Sequence, residues 1–238
     1  ISRDTVIKMA EISGDALQLA TELLQDYNEN KGKLVDSMEQ RVDRYEDALG
    51  TYLLKVSNLD LSQNDSRMLS ILLHCINDFE RISDHAVNIR DSAVEMHEKD
   101  ISITSGGMEE MAVYSKAVQD IVQQTIQAFR TGDLTLARQV EPFEEVIDGL
   151  SIEMKQRHIT RLRKGRCTME AGLMLEDVIT NYEQVSDHCS NVAVCMLQIN
   201  EDGFDTHEYL ELAAEEDSAW FREQCISLKN KYELPEKK

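Results

Sequence analysis

Residues 78–89 read DFERISDHAVNI and residues 181–192 read NYEQVSDHCSNV, the same pattern 103 positions apart. Glu80 corresponds to Glu183, Ser83 to Ser186, Asp84 to Asp187, His85 to His188 and Asn88 to Asn191, while Phe79 and Ile82 correspond to Tyr182 and Val185. Polar identity is kept where apolar positions merely stay apolar. Apolar residues recur at three and four around the motif (Ile76, Phe79, Ile82, Ala86, Ile89, Ala93), which predicts helix. Residues four apart share a helix face, so each copy presents Glu, Asp and Asn in one stripe.

The correspondence extends backwards. Glu39 and Asp43 in SMEQRVDRY recur 105 residues later as Glu144 and Asp148 in PFEEVIDGL. Before them, Met9, Ala10, Leu19, Ala20 and Tyr27 match Met111, Ala112, Ile121, Val122 and Phe129 at an offset of 102. The repeat unit is therefore three helices. With two prolines and 5% aromatics in 238 residues, and long stretches of Ala, Leu, Glu, Lys and Gln, the chain is expected to be all-α. The architecture predicted is two tandem three-helix bundles, residues 1–103 and 104–203, followed by a C-terminal helix and tail in residues 204–238, with that helix near Thr206 to Tyr232. Turn residues place breaks near 30–32, 58–64, 102–107, 131–133, 164–165 and 200–203. Pro142 either kinks the fifth helix or begins it.

A formal charge of −20, from 45 acidic and 25 basic residues, argues against a nucleic-acid partner and makes cations the natural ligands. The five cysteines contain no CxxC and fall mostly where helix interior is expected, which reads as reduced core thiols. No run approaches the ~18 apolar residues of a membrane span, and no signal peptide is visible.

A single acidic i,i+4 pair would carry little information, since about eight arise by chance at this composition; four pairs in corresponding places carry more. An antiparallel hairpin turning near Leu61 brings Glu39 and Asp43 level with Glu80 and Asp84, and one turning near Gly165 does the same for Glu144 and Asp148 with Glu183 and Asp187. Four facing carboxylates repel at about 4 kcal/mol per pair at 4 Å and an effective dielectric near 20, unless protonated or neutralised. A multivalent cation resolves that repulsion: Mg, Mn or Ca on oxygen donors, or iron or zinc. His85 and His188 follow an Asp by one residue, about 100° round the helix, and are expected to pack or hydrogen-bond more than to ligate.

The alternative is a salt-bridged surface, with Arg41, Arg44, Arg81 and Arg90 as partners in the first repeat. In the second, Val146 and Gln184 replace Arg41 and Arg81, so those partners vanish while the acids remain. Catalysis has no positive support: no His has Glu three residues before it, as di-iron oxidases require, and neither a phosphate-cradling Gly-rich loop nor a nucleophile elbow is present. Lys155, Arg157, Arg161, Arg163, Lys164 and Arg166 form a basic cluster at the end of the fifth helix, where a helix dipole or an anionic partner accounts for them. The last helix carries Phe221, Cys225, Leu228 and Tyr232 on one stripe beside Trp220, to be covered by the bundles, a partner or a second copy of the chain.

The doubled Glu-x-x-x-Asp-His-x-x-Asn core on the third helix of two three-helix units resembles the PhoU family over residues 5 to 200. That resemblance implies regulation of phosphate uptake and multinuclear iron or zinc clusters, with Glu39, Asp43, Glu80 and Asp84 as ligands in one bundle and Glu144, Asp148, Glu183 and Asp187 in the other. More narrowly, SDHCSNVAV, the FDTHEYL segment and a helix ending in NKYEL resemble the cytoplasmic C-terminal domain of sodium-dependent phosphate cotransporters. This implies a regulatory domain on the cytoplasmic side of the membrane, with a transmembrane sodium/phosphate transport domain preceding Ile1. The alternatives are a free-standing PhoU-type regulator of an ABC phosphate importer and its signalling kinase, or a carboxylate-bridged di-iron enzyme. Asn181 and Gln184 depart from Asp78 and Arg81 of the first copy, which implies a second site that binds metal less completely or selects a different one.

Overall fold

The structure, a computed structural model, describes residues 2–198 and 218–236. These form eight helices: α1 (Ser2–Leu23), α2 (Glu29–Ser57), α3 (Gln63–Glu98), α4 (Ser105–Thr131), the short α5 (Leu134–Arg138), α6 (Val140–Arg163), α7 (Met169–Gln198) and α8 (Ser218–Lys231). The fold is all-α, as the composition and periodicity predict.

Capping side chains set the boundaries. Ser62 accepts from the Asp65 amide to open α3, Thr104 from the Gly107 amide to open α4, and Asp133 from the Thr135 and Leu136 amides to open α5. Gly132 closes α4 at φ 69°, a left-handed position where a Cβ is disfavoured. Two expected boundaries differ. The first break lies before Glu29 rather than at 30–32, because the Asn28 side chain caps the Lys31 amide and leaves Asn30 and Gly32 inside the first turn of α2. The fifth predicted helix is two, α5 and α6, separated at Gln139. Pro142 has no N–H to offer the Arg138 carbonyl, so the ladder stops there, and the proline sits in the first turn of α6 where none is required. The last predicted break and residues 206–217 of the last predicted helix lie outside the described residues.

α1, α2 and α3 form one bundle, and α4, α6 and α7 the other; they join where α3 packs on α7 and α1 on α4. One continuous core runs through both, from Met9, Leu17, Val42 and Phe79 to Val118, Ile121, Ile147 and Val185. The join is crossed. Phe79 of α3 meets Phe129 of α4 edge-on at 5.4 Å, and its counterpart Tyr182 of α7 shares a buried 2.8 Å hydrogen bond with Thr21 of α1. Each third helix thus reaches the first helix of the other repeat. α8 covers α6: Cys225 and Tyr232 are buried, Tyr232 stacks on Phe143 at 5.3 Å, and Arg138 lies over Trp220. Cys75, Cys189 and Cys225 are buried thiols.

Candidate metal centre

α2 and α3 run antiparallel from the turn at residues 58–62, and this places Glu39 and Asp43 of α2 against Asp84 of α3. Each contributes one carboxylate oxygen to a group in which all three lie within 4.8 Å of one another. α6 and α7 repeat the arrangement with Glu144, Asp148 and Asp187, under the same limit. Six of the eight carboxylates named from the sequence come together. Glu80 and Glu183 border these groups. Arg81 holds Glu80 at 3.5 Å and Asp84 at 3.2 Å, while Glu183 accepts from Lys155 at 2.8 Å and Ser151 at 2.7 Å.

The electrostatic cost of the grouping shows in its protonation. Burial, then repulsion from Asp148, Glu141 and Asp187, pushes Glu144 up to about 8. Burial and then Glu183 and Asp187 push Asp148 up to about 6. Burial and then Asp84 push Glu80 up to about 7, and Glu39 is raised by burial and then by Asp43 and Asp84. Glu183 moves the other way. Burial raises it, but the hydrogen bonds from Lys155 and Ser151 outweigh that and leave it below the ordinary value. The salt-bridged alternative therefore accounts for the two bordering glutamates and, through Arg81, for Asp84 of the first group, and, among the described residues, for no carboxylate of the second. Arg41 and Arg44 are exposed, and Arg90 is spent on Asp36 and Asp91.

In the second repeat the cation expected to vanish is replaced rather than lost, since Lys155, eleven positions after Glu144, supplies it. Gln184 donates to Asp187 at 3.1 Å where Arg81 bonds Asp84 in the first copy, so an uncharged donor stands in for a guanidinium. One residue was missed by sequence reasoning. Glu141, raised by burial and then by Glu145 and Asp187, accepts from Ser190 at 2.6 Å beside the second group. Its position three residues before Glu144, on the same helix face, is the signal that was there to be read.

The histidines are not in either group. The His85 Nδ1 lies 2.8 Å from the Asn181 Oδ1, and the His188 Nδ1 lies 3.0 Å from the Asp78 Oδ1, each bond crossing from one repeat to the other. Asn181 and Asp78 are thus partners of histidines and not part of either carboxylate group; the departure at Asn181 falls outside the second cluster. In the basic cluster, Arg157 and Arg161 converge on the buried Glu110, Arg161 with bonds of 2.9 and 2.7 Å, and Arg157 also donates to the Pro235 carbonyl at 2.6 Å.

The donor set fits a hard cation. Both groups are all-carboxylate, and the Asp148 Oδ1 is buried with no hydrogen-bond partner, an oxygen whose desolvation an inner-sphere cation would offset.

Two three-helix units on one core, each with a carboxylate group between its second and third helices, define a class of tandem helical-bundle protein with paired acidic centres. The sequence profile of the PhoU domain matches residues 6–93 and again 112–196, and the chain belongs to the PhoU family. It is 26% identical over 211 residues to the phosphate-specific transport system accessory protein PhoU homolog 1 of Thermotoga maritima, covering 87% of this chain and 89% of that one. With the corresponding homolog of Aquifex aeolicus it shares 24% identity over 88% of this chain and 94% of the relative. Among solved structures, PhoU from Pseudomonas aeruginosa superposes with a TM-score of 0.78 at 20% identity, covering 83% of this chain and 94% of that chain. The phosphate transport system regulatory protein PhoU from Streptococcus pneumoniae gives 0.76 at 14% identity, over 86% and 95%. These relatives are named as accessory or regulatory proteins of phosphate transport, which supports the free-standing type of PhoU better than the cotransporter domain. The FDTHEYL segment behind the narrower resemblance lies outside the described residues, and no helix among the described residues is long and apolar enough to cross a membrane.

Proposed function

We propose that this chain is a metal-binding accessory regulator of phosphate uptake, acting at the cytoplasmic side of the membrane on an ABC-type phosphate importer and its signalling kinase. The family membership and the names of the relatives support the phosphate-transport part. The observation that carries the metal part is the duplicated three-carboxylate group, in which burial and neighbouring carboxylates push Glu39 of the first and Glu144, Asp148 and Asp187 of the second toward the protonated state. At neutral pH Glu144 either keeps its proton or exchanges it for a cation.

Glu39, Asp43 and Asp84 would hold one ion or cluster and Glu144, Asp148 and Asp187 the other. Glu80, Glu183 and Glu141 stand near enough to join when their present partners release them. A bound ion supplies concentrated positive charge that ties the second helix of each repeat to the third. All-oxygen donors favour iron or manganese over zinc. The reading is of a regulator and not a catalyst, since both motif histidines are engaged between the repeats.

Elemental analysis of untagged protein, wild type against Glu39→Ala/Asp43→Ala and Glu144→Ala/Asp148→Ala, tests the metal part. Stoichiometric metal lost one cluster at a time supports it, and traces indifferent to the substitutions overturn it. Phosphate uptake in cells lacking the chain tests the regulatory part; uptake and phosphate response equal to wild type overturn that.

A further inference from the structure

The histidines and asparagines of the duplicated motif build a crossed latch between α3 and α7. Asn181 Oδ1 receives both His85 Nδ1 at 2.8 Å and Asn88 Nδ2 at 3.1 Å, and Asp78 Oδ1 receives both His188 Nδ1 at 3.0 Å and Asn191 Nδ2 at 3.3 Å. The two imidazoles lie 5.6 Å apart between these bonds. Asn181 is held from behind by its own Nδ2, which donates to the Asp177 carbonyl at 2.8 Å. That bond fixes the amide orientation and makes Nδ1 of His85 the donor. Asp78 is 7% exposed, and the described structure gives its carboxylate His188 and Asn191 as partners.

The latch shares helical turns with the clusters. His85 follows Asp84 by one residue and His188 follows Asp187, while each acceptor stands two residues before a bordering glutamate, Asp78 before Glu80 and Asn181 before Glu183. An ion between Glu39, Asp43 and Asp84 fixes α3 against α2. An ion between Glu144, Asp148 and Asp187 fixes α7 against α6. The latch fixes α3 against α7, so the turns ordered by one ion are those that the other ion must order.

We infer that the latch couples the two clusters, so that a cation in one raises the affinity of the other for a second cation. The inference rests on the metal reading of the clusters. Its source is entropic and geometric: ordering of the α3–α7 turns is needed once, and the second ion no longer bears its full cost. Couplings of this kind run from about fivefold to about 150-fold in affinity.

The test measures the Mn²⁺ affinity of the first cluster by calorimetry at one fixed pH, with the second cluster intact and filled or disabled by Glu144→Gln/Asp148→Asn/Asp187→Asn. In the native background, disabling the second cluster is expected to weaken the first by about fivefold or more. With the latch cut by His85→Leu/His188→Leu, the same comparison is expected to fall within about twofold, which also subtracts the Coulombic effect of the removed carboxylates. His85→Asn/His188→Asn restores a donor near the Nδ1 position and is expected to restore the coupling; circular dichroism reports folding of every variant. Equal ratios in native and latch-cut backgrounds overturn the coupling while the metal reading stands. Absence of Mn²⁺ binding to the native protein overturns both.

Discussion

Glu144 gives the metal-free protein a pH dependence of known sign. Its carboxyl is held at about 8 in the folded chain, chiefly by burial and then by Asp148, against an ordinary 4.5. The folded protein therefore binds a proton more tightly than the unfolded chain does. The stability from that proton is complete below about 4.5 and is lost as the pH rises through about 8. At about 1.4 kcal/mol per pH unit, the loss across this window would be on the order of 5 kcal/mol, and partial solvation of the cluster reduces it to roughly 2–3 kcal/mol. Glu80 at about 7 and Asp148 at about 6 act with the same sign. His85 and His158, both lowered chiefly by burial, oppose it, but only below their ordinary 6.5. Glu22, Glu183 and Asp120, whose values are lowered, act only in acid. Between pH 6.5 and 8 the carboxylates are thus left in control, with roughly 1 kcal/mol of the discounted loss. Urea unfolding in the presence of a chelator is expected to show that decline, and Glu144→Gln to flatten most of it. A profile that is level or rising over this range, or a Glu144→Gln slope equal to wild type, refutes the reasoning.

Arg161→Ala removes two of the bonds that neutralise the buried Glu110 and leaves it with Arg157 alone, so a loss of about 2–3 kcal/mol is expected in urea unfolding. Tyr182→Phe keeps the ring and deletes the hydroxyl that meets Thr21, for an expected cost of about 1 kcal/mol in the same assay. Lys155→Met releases Glu183 from its cation; calorimetry is expected to show the second cluster binding Mn²⁺ severalfold more tightly, because a bordering carboxylate becomes available.

The repeat made most of the fold legible. Corresponding acidic pairs at offsets of 103 and 105 fixed the three-helix unit and the hairpin register, and that register is what brings Glu39 and Asp43 to Asp84. The split at Gln139 was half legible, since Pro142 announces a break without saying on which side of it the helix begins. The partners of Glu80 and Glu183 were not legible in the same way. Arg81 is adjacent in sequence to Glu80, whereas Lys155 reaches Glu183 from another helix at a position with no counterpart cation in the first repeat. That His85 and His188 would hydrogen-bond rather than ligate was legible, but with which residues was hidden for the same reason. Their partners lie 96 and 110 residues away, across a repeat interface that the motif contains but does not display.

Within one motif, Asp and His divide the work by direction. Adjacent residues diverge by about 100° on a helix, so Asp84 faces α2 while His85 faces α7. The two departures in the second copy then have separate consequences. Asn181 replaces an aspartate in the latch and leaves the cluster untouched. Gln184 replaces an arginine beside the cluster aspartate, and the second group, which also buries an unpartnered Asp148 oxygen, carries the carboxyl held at about 8. A group that resists ionisation so strongly has the most to gain from a cation once its proton is gone. The second cluster is therefore expected to be the tighter site, reversing the expectation that the substitutions weaken it. Mn²⁺ titration of the single-cluster variants at pH 8.5, where Glu144 has largely released its proton, decides the order. A first cluster that binds as tightly or more tightly there would show that Arg81 costs the first site less than burial costs the second.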